Sequence, residues 1–138
     1  MKRRDFQELA ALRLKEAKIL LQNQCWEGAY YLAGYVAECA LKSCIAKRTE
    51  RHEFPDRKQV NASYTHNLDE LIKLAELTKG LKESETRHPE LNANWKIVRE
   101  WGEANRRYQK ASRAEAEELV GALGHRSHGV LRWLRRHW

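Results

Sequence analysis

The sequence predicts an all-α fold, an up-and-down bundle of four to five helices forming one domain over residues 1–138. Three observations point there. Apolar residues recur at three- and four-residue spacing in several separate segments. Ala, Leu, Glu, Lys and Arg dominate, while the strand-favouring Val, Ile and Thr are few. Only two prolines and seven glycines interrupt the chain, too few for a turn-rich β fold. A chain of 138 residues fits one domain, and it can bury a core without disulfides or metals.

The first helix is expected to open at Asp5, whose carboxylate caps free amides, with Glu8 at capping-box spacing. Phe6, Leu9, Ala10, Ala17, Leu20 and Leu21 form its apolar face, and Arg13 falls inside that stripe. An arginine there snorkels to water or meets a buried acid. A second helix is expected from Trp26 to Arg48. Its stretch from Ala29 to Ala37 is apolar nearly all round, which marks the most buried element. Gly34 within it costs helix propensity, and a close helix–helix approach is the expected reason. Glu38 and Lys42 follow one turn apart, either as a surface pair or with Glu38 as a buried acid.

Residues 49–66 lose the periodicity and read as a long loop. Asn67 is expected to cap a third helix with Glu70 reciprocating. Leu68, Leu71, Ile72 and Ala75 supply its face, and Gly80 ends it or its first part. Residues 81–88 are polar, either a further helical turn or a loop. Pro89 suits the start of a fourth helix lined by Trp95, Val98 and Trp101. The last helix opens at Ser112 with Glu115 three residues on. Ala116, Leu119, Val120, Leu123, Val130, Leu131 and Leu134 form its stripe, and Gly124 and Gly129 favour a bend between them.

The formal net charge is +7, which attracts phosphate and says nothing about fold. Lys2, Arg3 and Arg4 open the chain, and residues 126–138 carry Arg126, Arg132, Arg135 and Arg136 with no acid. The two ends are expected to form one basic patch, or simply to be solvated helix ends. Cys25, Cys39 and Cys44 are an odd set without CxxC spacing, which reads as reduced thiols in the cytoplasm. Cys39 and Cys44 read as small core-fillers. No apolar run approaches the roughly 18 residues that span a membrane. The basic start is followed by Asp5 and Glu8, unlike a secretory leader.

The sequence holds no Gly-rich phosphate loop, HExxH or GxSxG, and no cofactor is expected. His125 and His128 have a spacing that suits a metal on a helix, but no third ligand is evident, so no metal site is expected. His66, at a helix entry, is disfavoured as imidazolium by the dipole, which suits a neutral ring bonded into the core. A catalytic or ligand-binding role is the alternative. Arg106, Arg107, Tyr108 and Lys110, with Arg113, form a basic and aromatic cluster before the last helix, suited to holding a phosphate. The competing reading pairs Arg107 with an interior carboxylate and packs Tyr108.

The run Trp26-Glu27-Gly28-Ala29-Tyr30-Tyr31-Leu32-Ala33-Gly34-Tyr35-Val36-Ala37-Glu38-Cys39-Ala40-Leu41-Lys42 resembles the second helix of HEPN-domain proteins, the higher-eukaryote and prokaryote nucleotide-binding group. It follows a Leu9-Ala10, Leu14, Ala17 pattern and precedes Tyr64-Thr65-His66-Asn67-Leu68 and Arg107-Tyr108, so the resemblance covers most of residues 5–120. It implies a helical bundle, commonly a homodimer, with a role in RNA cleavage or in toxin–antitoxin pairs with a minimal nucleotidyltransferase.

In one respect the sequence departs from that pattern. Ribonuclease members carry an arginine followed roughly four to six positions later by a histidine, a pair that stabilises phosphate charge and moves protons. After Arg106 and Arg107 the next histidine is His125. The literal match Arg132-Trp133-Leu134-Arg135-Arg136-His137 lies at the far end and reads as coincidence. The leading expectation is therefore a binding or regulatory bundle that takes RNA, a nucleotide or a protein partner. In it Arg107 contacts phosphate, Tyr108 stacks or packs, and Arg13, Glu38, Lys42 and His66 form an internal polar network. One alternative is a metal-independent ribonuclease using His66, His125 or His128 near Arg107. The other is an adaptor whose apolar patch comes from Trp133 and Trp138.

Overall fold

The computed structural model describes residues 1–51, 57–102 and 110–138. Among them the protein is an all-α helical bundle. Its helices are α1 (Arg3–Gln22), α2 (Trp26–Arg51), α3 (Arg57–Ala62), α4 (Leu68–Leu74), α5 (Thr78–Arg87), α6 (Pro89–Trp101), α7 (Arg113–Gly124) and α8 (Val130–Arg135). The count exceeds the expected four to five because α3 forms inside the expected loop, the third segment resolves into α4 and α5, and the last into α7 and α8.

The central helix is α2, against which α1, α4, α6, α7 and α8 all pack. Its apolar run explains that position. Ala29, Ala33, Val36, Ala37, Ala40, Leu41 and Cys44 are buried, and the many alanines let several neighbours approach closely. Gly34 carries the same logic furthest, because the Trp101 indole from α6 lies on its bare backbone. The close approach is thus a side chain on a backbone, not two backbones. Ala10 and Ala17 are the fully buried contacts of α1, with Leu14, Leu20 and Leu21 packed around them.

Local chemistry sets the ends of the helices. α1 begins two residues before Asp5. Lys2 is the N-cap, and Asp5 in the first turn accepts the Lys2 backbone N–H at 2.7 Å. Glu8 takes an Arg4 ion pair at 2.9 Å instead of a cap bond. α2 runs past Arg48 to Arg51, and α3 lies inside the expected loop, where residues 57–62 contain no glycine or proline to oppose it. Asn67 caps α4 by accepting from the Asp69 and Glu70 amides at 3.0 and 3.2 Å. The return bond to the Asn67 amide comes from Thr65 Oγ1 at 3.0 Å, not from Glu70.

α4 stops at Leu74, well before Gly80. Glu76 adopts φ 56°, and the Leu77 amide bonds back to the Ile72 carbonyl at 3.0 Å, a Schellman closure without glycine. Gly80 is therefore inside α5. The polar residues 81–87 belong to that helix, and α6 starts at Pro89 as its sequence requires. Ser112 and Glu115 form the expected capping box on α7. The bend between Gly124 and Gly129 is a full break, with residues 125–129 joining α7 to α8. No helix among the described residues is long and apolar enough to cross a membrane.

Candidate functional site

The most chemically distinctive cluster lies where α2 meets the turn into α4. Glu38 follows the apolar run of α2 and is buried. Its Oε1 accepts from Lys42 Nζ at 2.8 Å, one turn on, and its Oε2 lies 2.8 Å from His66 Nδ1. A carboxylate so far from water needs compensation, and here each oxygen has a partner. The carboxylate makes Nδ1 the protonated nitrogen, so in the neutral ring Nε2 carries the lone pair. His66 is 39% exposed at its side chain, and Nε2 has no partner among the described residues.

Aromatic rings border this group. Tyr35, one turn before Glu38, meets His66 edge-on with centroids 6.0 Å apart and Trp101 edge-on at 4.9 Å. Tyr31 and Tyr35 form a T-shaped pair at 5.3 Å with their hydroxyls 3.4 Å apart, and Tyr31 is exposed. An oriented imidazole, a lysine and a tyrosine edge therefore share one surface. Such a set can accept a hydroxyl proton, donate to an anion once protonated, and flank a planar base.

Of the expected internal network, the structure brings together Glu38, Lys42 and His66. Arg13 stays apart, paired with Glu16 on its own helix at 2.5 Å. Glu38 already has a hydrogen-bond partner on each oxygen, while Glu16 sits one turn from Arg13 with both side chains partly exposed. Arg106, Arg107 and Tyr108 lie outside the described residues. Lys110 is exposed. Two amides at the start of α7 are taken, since Ser112 Oγ accepts from Glu115 N and Glu115 Oε1 accepts from Ser112 N, both at 3.2 Å. That glutamate puts negative charge where a phosphate was expected. Arg113 pairs with Glu117 at 2.8 Å and lies 5.5 Å from the centre of the Trp26 ring.

His125 and His128 are in the α7–α8 connection, not on a helix, with ring centroids 6.1 Å apart. His88 approaches His128 to 5.0 Å, a proximity that no local spacing in the sequence signals. Among the described residues no group of three or more His, Cys, Asp or Glu side chains is placed to hold a metal ion. Trp133 is buried and donates Nε1–H to Ser84 Oγ at 3.0 Å, and Trp138 packs partly buried against the core. Trp133 thus supplies no exposed apolar patch. The two chain ends do meet, with Arg3 Nη2 donating to the Trp138 carbonyl oxygen at 3.4 Å.

The sequence reading did not assign Tyr31, Tyr35 or Trp101 to the site. Their signal was the apolar run itself, which reads as core; the tyrosine hydroxyls were the only sign that this face reaches solvent. Compared with models of known families, with curated proteins and with solved structures, the chain gives no match.

Proposed function

We propose that this chain is a HEPN-like bundle that binds RNA or a ribonucleotide on the surface formed by Tyr31, Tyr35, Lys42 and His66. The observation that carries the reading is the buried Glu38 carboxylate, which pins His66 while leaving Nε2 open. A neutral ring held this way offers a lone pair to a ribose hydroxyl. A protonated one donates to a phosphate. Tyr31 and Tyr35 supply aromatic surface for a base. The resemblance in α2 adds the expectation of a homodimer and of a minimal nucleotidyltransferase partner, in a toxin–antitoxin or defence setting.

A second reading rests on the same carboxylate–imidazole pair. It orients a histidine as a general base, the arrangement that metal-independent ribonucleases use to activate a 2′-hydroxyl. One experiment separates the two. Labelled single-stranded RNA and DNA are incubated with the protein in excess chelator, beside His66→Ala and Arg107→Ala variants whose melts have been checked. Retention of RNA over DNA without cleavage, weakened about tenfold in His66→Ala, supports binding. Cleavage lost in His66→Ala makes the protein a ribonuclease. RNA retention unchanged in His66→Ala, with no loss of cleavage, sinks the site in both forms.

A further inference from the structure

A second basic cluster lies away from His66. His88, between α5 and α6, and Ser127 and His128, in the α7–α8 connection, surround a pocket of about 170 Å³ with Arg132 and Arg136 from α8 and its end. Leu91, Gly129 and Trp133 complete the lining. Neither Arg132 nor Arg136 has an acidic partner among the described residues. Glu90 is close by, exposed, with its Oε2 4.0 Å from His128 Nε2. α6 also begins here with no side-chain cap, which adds the positive end of its dipole.

The backbone around this pocket is closely determined. His125 Nδ1 accepts the amides of Ser127 and His128 at 3.2 and 3.0 Å. Asn94 of α6 donates to the His128 carbonyl at 2.9 Å. Gly129 is required, since a Cβ there would lie 2.6 Å from the His125 carbonyl oxygen and 2.7 Å from that of Leu123. The Trp133–Ser84 bond locks α8 onto α5. Four basic side chains from three parts of the chain thus surround a space of phosphate size, on a backbone frame fixed by these bonds.

We propose that this pocket is a phosphate-binding site, with Arg132 and Arg136 as the principal charge partners and His88 and His128 as donors. It goes beyond the His66 reading and does not depend on it. α6 has 13 residues, so it separates the two sites by about 20 Å along its axis. The phosphate comes from a free nucleotide or from a nucleic-acid backbone, and the test tells these apart.

The amides of Ser127, His128 and Gly129 are followed by ¹⁵N–¹H correlation spectra. Inorganic phosphate, AMP and a short single-stranded RNA are titrated in turn at constant ionic strength. The proposal expects saturable shifts confined to residues 125–136 and 88–91, weakened at least tenfold in Arg132→Gln/Arg136→Gln. Both arginines are exposed, so that variant is expected to keep the parent melt. A free-nucleotide source gives AMP an affinity equal to or above that of the RNA; a backbone source gives the RNA the advantage, with steep salt dependence. Linear, non-saturating shifts with all three ligands, or saturable shifts that the double variant leaves intact, overturn the site. A His66→Ala control keeps the same shifts, so failure of the first reading is seen separately.

Discussion

The Trp101 indole occupies the space where a side chain at Gly34 would begin: a Cβ on Gly34 would lie 1.8 Å from the ring. No real carbon contact is that short, and Trp101 is fully buried. Gly34→Ala is therefore expected to destabilise the bundle by about 3 kcal/mol, the upper part of the usual overpacking range, despite alanine's better helix propensity. Urea unfolding measures this. Adding Trp101→Leu to Gly34→Ala is expected to cost less than the two single changes summed, because the second opens the space that the first fills. Strict additivity would show that the two do not share that space.

Gln24 ends α1 at φ 60°, with the Cys25 amide bonded to the Leu20 carbonyl at 2.9 Å. A left-handed conformation costs a residue with a Cβ about 1–2 kcal/mol, and glycine avoids that cost. Gln24→Gly is expected to stabilise by about 0.5–1 kcal/mol after the entropy that glycine adds to the unfolded chain. Thermal melts would register this as a rise of a few degrees. Glu76, at φ 56°, is the poorer target because its carboxylate holds Arg48 at 2.6 Å.

Glu38→Gln keeps the shape and removes the charge that Lys42 and His66 share. The variant is expected to lose about 2 kcal/mol, less than a fully buried pair because both partners retain some exposure. Lys42→Met in the same background is expected to recover part of that loss by removing the stranded ammonium. If Glu38→Gln melts like the parent, the carboxylate contributes no net stability, and its role is confined to orienting His66.

The three thiols are expected to differ in reactivity. Burial, reinforced by the Glu38 charge, pushes Cys39 up to about 11, and burial pushes Cys44 up to about 12. Cys25 is exposed. A disulfide exchange reagent at neutral pH is expected to modify one thiol quickly, and Cys25→Ala should abolish that phase. The same shifts set an alkaline limit. Above about pH 9 the thiols ionise in the unfolded chain while the fold still keeps them neutral. Their contribution is therefore full below that pH and is lost as pH rises through 11 and 12. Denaturant midpoints between pH 8 and 10.5 are expected to fall less steeply in Cys39→Ala/Cys44→Ala than in the parent.

Burial also lowers His137, helped by Lys47 and Arg136. Its neutral ring packs against Trp133 with centroids 4.6 Å apart. A depressed basic group gives stability that is present above its ordinary value and lost as pH falls through the folded one. Acidification below about pH 6.5 is thus expected to loosen α8 first, seen as faster amide exchange at residues 130–136 than in His137→Phe.

What the sequence by itself determined was the helical class, the burial of α2 and the starts of α2, α4, α6 and α7, because these depend on spacing and capping within a turn or two. Pro89 and the Ser112–Glu115 box could be read directly. Glu38 was legible as one of two alternatives, a surface pair or a buried acid, since it follows the apolar run immediately. Tertiary structure decided the rest. α4 closes at Glu76 because packing tolerates a left-handed glutamate, while Gly80, the obvious stop signal, sits inside α5. Arg13 sits within the apolar stripe of α1 yet pairs with Glu16, because Glu38 was already taken by Lys42 and His66. His88 meets His128 only because α6 and the α7–α8 connection fold together. Propensity and capping act between near neighbours along the chain, whereas pairings across helices are settled only when competing partners have been placed in space.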